Sequence, residues 1–127
     1  MKQEDKELLL KDLCARLPYG LKIRILDTGL YTTEVIEPLI TIDHNDCMEE
    51  WHINSVKFDD DIKPYLRPMS SMTEEEKEHF DFICSTSGYD IDEGYIIEGF
   101  DWLNAHHLDY RELIEKGLAL EAPEGMY

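Results

Sequence analysis

The chain has 127 residues, 29 acidic against 12 basic side chains, a formal net charge of −17, and an apolar share of 43% that includes seven Tyr, four Phe and two Trp. A chain of this length buries about two-thirds of its unfolded surface as one domain, and its apolar share argues against disorder. The negative field repels phosphate backbones and anionic lipid over about 8 Å at physiological salt and attracts basic protein surfaces, so the expected partner is another protein with a basic surface, with no direct nucleic-acid or membrane binding.

The charge is uneven along the chain. Residues 1–24 carry six basic and four acidic side chains, residues 25–72 three and ten, and residues 73–127 three and fifteen. Cys14, Cys47 and Cys84 are odd in number and more than thirty residues apart, which suits neither a disulfide framework nor a paired-cysteine zinc module. The opening MKQEDKELLLKDL has acids where a signal peptide needs an apolar stretch. A cytoplasmic location is the expectation.

In chain order, residues 3–17 place Leu10, Leu13, Cys14 and Leu17 at i, i+3, i+4 and i+7, with Glu4, Lys6, Lys11 and Asp12 elsewhere, the period of an amphipathic helix. Pro18 and Gly20 stop it. LKIRIL, 21–26, alternates Leu21, Ile23 and Ile25 with Lys22, Arg24 and Leu26 as a half-buried strand does, and Asp27 to Gly29 reads as a turn. From Tyr31 to Phe58, YTTEVIEPLITI and WHINSVKF read as strands around the polar turn HNDCMEE, and Pro38, without an amide hydrogen, divides the first into two. Short strands joined by tight turns bury their apolar faces by curling, so a strongly bent antiparallel sheet or a small barrel of the Src-homology-3 kind is expected.

IKPYLRP, 62–68, is too proline-rich for a helix or a central strand and reads as a strap laying Ile62, Tyr65 and Leu66 over an open barrel end. Thr73 and Glu76 then form a T-x-x-E capping box, with Glu74 and Glu75 where the helix dipole favours negative charge. The helix they start, 73–85, presents Phe80, Ile83 and Cys84, and a second, 95–107, presents Ile96, Phe100, Leu103 and His107. Asp109 and Glu112 read as another box opening a short helix to Lys116, Gly117 as its left-handed end, and Leu118, Leu120 and Ala122 as a last strand. The fold class is α+β: one compact domain, 1–127, with an N-terminal helix (1–20), a barrel lobe and strap (21–68) and a helical lobe (69–127).

Three groups invite chemistry. Asp90, Asp92, Glu98 and Asp101 stand at positions 1, 3, 9 and 12 of a calcium-type loop, but Gly94 replaces an oxygen ligand and Tyr95 the glycine of its sharp turn, so an acidic loop leading into a helix is favoured. His44 and Cys47 make half a zinc site, which His52 would approach only across a hairpin. His106 and His107 lie beside Asp109 and Tyr110, yet His107 continues an apolar stripe, and a partly buried ring bonded to a backbone carbonyl is the commoner outcome. No nucleophile elbow or phosphate cradle appears, the tail helix offers only Arg111 and Lys116 to DNA, and no cofactor is expected. Trp51, Tyr65 and Arg67 are the candidate contact residues, being of the types that dominate interface hot spots.

The stretches LKDLCARLPYGLKIRI, IKPYLRPMSSMTEEEK and FDWLNAHHLDYRELIEKGLALEAPEGMY resemble a family of short hypothetical proteins of gut bacterial genomes and their prophages or mobile elements. The resemblance implies a bacterial, cytosolic setting and carries over no catalytic or binding residue. The function expected is a non-enzymatic adaptor that binds another macromolecule. The alternatives are an acidic nucleic-acid mimic that inhibits a DNA-binding protein and a metal-binding protein or hydrolase.

Overall fold

The computed structural model describes residues 2–27, 33–59, 61–86 and 93–127. Helix α1 spans Gln3–Arg16, with Glu4 and Asp5 in the first turn, where the helix dipole favours carboxylates. Its buried face is Leu9, Asp12, Leu13 and Arg16. That is the expected spacing moved back one residue, about 100° around the helix, so Cys14 is exposed. On that face Arg16 Nε donates to Asp12 Oδ2 at 2.9 Å across one turn, and both side chains are 0% exposed. A 3₁₀ turn, Leu17–Tyr19, follows, and Gly20 at φ 70° reverses the chain in a conformation costly for other residues.

Strand β1 (Lys22–Asp27) pairs antiparallel with β2 (Thr33–Pro38), Ile23 opposite Glu37 and Ile25 opposite Val35. Pro38 ends β2, as its missing donor predicts. The next strands, β3 (Ile42–Asn45), β4 (Glu50–Ile53) and β5 (Val56–Lys57), form a separate antiparallel meander. WHINSVKF is thus two strands. Asn54 and Ser55, at φ 49° and 68°, make the two-residue turn between Ile53 and Val56. Asn54 also ties the sheets together. Its Oδ1 accepts the N–H groups of Ile40 (2.7 Å) and Thr41 (3.0 Å), and its Nδ2 donates to Pro38 O (2.7 Å) and Glu37 Oε1 (3.0 Å).

The expected strap begins as a strand. Ile62–Leu66 is β6, and it lies inside a four-stranded sheet of order β2-β1-β6-β7, where β7 is Leu120–Glu121. Pro64 is tolerated there for a geometric reason. Leu26 N–H donates to Asp61 O at 3.0 Å, and an antiparallel ladder alternates, so Lys63 faces β1 with its donor while the Pro64 nitrogen turns to the other side. On that side β7 pairs only from Tyr65 onward.

Among the described residues no barrel closes. The strands divide into two sheets, one of them mixed because β6 and β7 run parallel. Closure is unnecessary, because Leu9 and Leu13 of α1 and Leu113, Leu118 and Ala119 near the C-terminus cover Ile23, Ile25, Ile53, Ile62 and Leu66 in one cluster.

After a 3₁₀ turn at Met69–Ser71 come α2 (Glu74–Thr86) and α3 (Glu93–Ala105). The capping box forms as its sequence dictates: Thr73 N–H donates to Glu76 Oε1 at 3.0 Å, and Glu76 N–H to Thr73 Oγ1 at 3.1 Å. Trp102, Leu103 and Leu108 make a second cluster, against which Phe80 and Ile83 pack. Phe100, expected inside, is 44% exposed beside the Tyr110 ring. Trp102 takes the inward place.

Residues 109–116 form turns rather than the expected helix. Glu112 has φ 60°, and the Asp109 carboxylate reaches past the N-cap pattern to the N–H groups of Leu113 (2.9 Å) and Ile114 (3.0 Å). Gly117, at φ 74°, ends these turns in the left-handed conformation expected of it. Among the described residues no helix is long and apolar enough to cross a membrane.

Candidate functional site

Arg67 is the residue around which sheet and helices meet. Its main chain forms a parallel bridge with Leu108, Arg67 N–H donating to His107 O at 2.7 Å and Asp109 N–H to Arg67 O at 2.8 Å. Its guanidinium grips Glu76 with two bonds, Nη1 to Oε2 at 2.8 Å and Nη2 to Oε1 at 2.7 Å, and also donates to Ser71 Oγ and Ser71 O. Arg67 holds the Glu76 carboxyl down to about 2, with help from the Thr73 N–H and against the effect of burial. The basic elbow made by Arg67 and Pro68 at the end of the strap and the acidic helix start are therefore one unit: the carboxylate that closes the capping box also anchors the cation of the elbow.

A cleft of about 620 Å³ separates this elbow from the C-terminal segment, with Arg67, Ser71, Glu76, Glu121, Glu124 and Tyr127 on its walls. Arg67 is committed to Glu76 and Ser71, and the Ser71 hydroxyl donates to Pro68 O at 2.6 Å. The charge left for a visitor is that of Glu121 and Glu124. At one end the Tyr127 hydroxyl sits between β1 and β6, accepting Lys22 N–H at 2.9 Å and donating to Tyr65 O at 2.8 Å. It bridges the ladder where the two strands separate, and burial pushes it up to about 12.

The His107 ring stacks on Tyr127, centroids 3.8 Å apart. It is buried at φ 59°, and burial, followed by the nearby Arg16, brings it down to about 4. The bond to a carbonyl expected of His107 belongs to its neighbour: His106 Nδ1 lies 2.8 Å from Trp102 O.

A buried charge cluster behind these residues was not anticipated. Asp12 Oδ1 accepts from Arg111 Nη1 at 2.6 Å, and Arg16 Nη2 donates to Leu108 O at 2.6 Å. The Tyr110 ring lies near both guanidiniums, 5.3 Å from Arg16 and 4.7 Å from Arg111, and its hydroxyl donates to Asn104 Oδ1. The available signal was the i, i+4 spacing of Asp12 and Arg16, which reads as readily as a surface pair.

Among the described residues the metal candidates are not assembled. His44 stands opposite Trp51 and His52 opposite Asp43 across the β3–β4 ladder, so the two histidines point to opposite faces. His44 Nδ1 is 2.7 Å from Asp46 Oδ1, and Cys47 is exposed in the turn. Of the calcium-type loop, Asp90 and Asp92 lie outside the described residues, Glu98 falls within α3, and Asp101 is exposed on α3. Among the described residues no three His, Cys, Asp or Glu side chains group as a metal site would need.

The three candidate contact residues occupy separate environments. Trp51 is half-buried in the meander, packed on the main cluster with the His44 ring 4.7 Å away. Tyr65 is buried, its hydroxyl 3.5 Å from Glu34 Oε1, and Arg67 is held in the elbow. Exposed apolar surface lies elsewhere: Val35, Ile36 and Ile40, at 46%, 49% and 66% exposure, follow one another along β2 and the turn after it, and Met48 and Val56 are exposed on the meander. Comparison with protein-family models, curated proteins and solved structures found no match.

Proposed function

We propose that the chain is a non-enzymatic protein-binding module, an adaptor whose partner presents a basic surface. The observation that carries this reading is the run of exposed Val35, Ile36 and Ile40, set beside Glu34 and Glu37 in a chain of net charge −17. Scattered exposed apolar side chains are ordinary, but here Val35 and Ile36 project from the two faces of one outermost strand, each face also carrying a glutamate, so a partner that grips the edge meets apolar and charged groups together. Such a surface divides the work: charge speeds encounter and rejects acidic partners, and apolar area holds the complex together. A bacterial cytosol, in a phage or mobile-element context, is part of the proposal; the free, exposed thiols of Cys14 and Cys47 support only its reducing character.

The test is affinity capture from bacterial lysate with the wild-type chain and a V35S/I36S/I40S variant side by side, eluting with a salt gradient. The module reading expects a basic protein retained by the wild type, released by salt, and not retained by the variant. Nucleic-acid-binding proteins captured equally by both chains would instead support the acidic decoy. Absence of any captured protein that separates the two chains would end the adaptor reading.

A further inference from the structure

We infer that the free edge of β2 is a strand-docking site, taking an extended segment of a partner protein in which two adjacent apolar residues are flanked on each side by lysine or arginine. The inference rests on the protein-binding reading above and specifies its geometry.

Main-chain alternation comes first. β2 is the outermost strand of its sheet. Leu39 N–H donates to Leu21 O at 2.7 Å. Counting back along the ladder, Glu37 opposite Ile23 and Val35 opposite Ile25 are the pairs that bond across to β1. The N–H and C=O groups of Glu34 and Ile36 therefore point away from the sheet, and among the described residues no main-chain bond takes them up. The edge stops at Pro38, which has no N–H and whose carbonyl accepts from Asn54. What remains is a short template offering two donors and two acceptors, the arrangement that strand addition uses.

Side chains define the occupant. Val35 and Ile36 are each about half exposed and, as neighbours in a strand, stand on opposite faces, so an added strand meets an apolar side chain on both. Glu34 and Glu37 likewise flank the edge one on each face, and β2 contains no cation. Glu34 Oε1 is within 3.5 Å of the Tyr65 hydroxyl and Glu37 Oε1 accepts from Asn54, contacts that orient both carboxylates. Proteins commonly protect sheet edges with charge and proline. Here the protecting charge is negative, which discourages acidic strands, including a second copy of a chain of net charge −17, and leaves basic ones welcome.

The test uses the intact protein, labelled with nitrogen-15, and an eight-residue peptide in which Lys-Val-Val-Lys is repeated twice, with the peptide carrying glutamate in place of each lysine as control. Amide exchange is followed residue by residue. Strand docking slows the Glu34 and Ile36 amides at least tenfold at peptide saturation, leaves Val35 and Glu37 unchanged because β1 already holds them, and gives no effect with the acidic peptide. The inference is overturned if the basic peptide fails to bind, if it saturates without protecting those two amides, or if the acidic peptide protects them equally. Protection that grows with the protein's own concentration, without peptide, would mean self-pairing and would also overturn it. Lysate capture that depends on Val35, Ile36 and Ile40, alongside unprotected Glu34 and Ile36 amides, would remove strand docking while leaving the protein-binding reading intact.

Discussion

Glu76 answers to two partners, Thr73 in the capping box and Arg67 in the elbow, and this makes its charge a stability term with a definite pH window. Its carboxyl sits at about 2 in the folded chain against an ordinary 4.5. A depressed folded value means the contribution is fully present above pH 4.5 and is lost as pH falls towards 2. His107 behaves in the same sense over a higher range: brought from 6.5 to about 4, it favours the folded state above pH 6.5 and ceases to do so as pH falls through 4. Urea unfolding measured across these two windows should show both losses. Glu76→Gln keeps an N3 cap side chain and should flatten only the lower window, while His107→Asn, whose residue type accepts a left-handed backbone, should flatten only the upper. Asp12 makes a different prediction. Asp12→Ala leaves the Arg16 and Arg111 guanidiniums without their carboxylate, one of them fully buried, at a cost of about 3–5 kcal/mol in urea unfolding. Replacing the buried pair together, Asp12→Leu with Arg16→Met, should cost less than Asp12→Ala alone.

At the level of elements, the sequence was legible wherever a local rule decided the outcome. The T-x-x-E box, the alternation of Leu21, Ile23 and Ile25, the stop at Pro18–Gly20 and the break at Pro38 each depend on residues a few positions apart, and each appears as read. Two of the readings that failed required knowledge of a distant partner, and a third, at 109–116, turned on which of two local hydrogen-bond patterns Asp109 adopts. α1 is rotated because Asp12 and Arg16 find Arg111 and Leu108 far along the chain. Pro64 enters an inner strand because its neighbour β7 starts one residue too late to need its donor. The turns at 109–116 depend on the Asp109 carboxylate reaching Leu113 and Ile114 instead of opening a helix. The proposed contact surface was not legible for a related reason, since YTTEVIEPLITI announces strands without revealing which of them stands at an edge. Asn54 tests how far one residue joins two elements. Asn54→Gly preserves the left-handed backbone while deleting four side-chain hydrogen bonds, and should lower stability by about 1–3 kcal/mol in urea unfolding. A change below a few tenths would mean that the two sheets do not depend on this residue for their connection.

For the molecule as a whole, two apolar clusters are tied by the Arg67 bridge and by the Asp12–Arg16–Arg111 charges, and each cluster has its own tryptophan, Trp51 in one and Trp102 in the other. Single-tryptophan variants, Trp102→Phe and Trp51→Phe, should therefore report coincident fluorescence transitions in urea, and separated transitions would make the clusters independent units. In the proposed function the buried charges hold the parts together, while an acidic, partly apolar strand edge is the surface offered to the partner. The most direct measurement is amide hydrogen exchange over the whole chain, free and in complex with the protein captured by affinity from lysate. The account predicts that slowed exchange centres on Glu34 and Ile36, with the Arg67–Glu76 cleft unchanged. Protection confined to the cleft or to α2, with β2 exchanging as in the free chain, would contradict it.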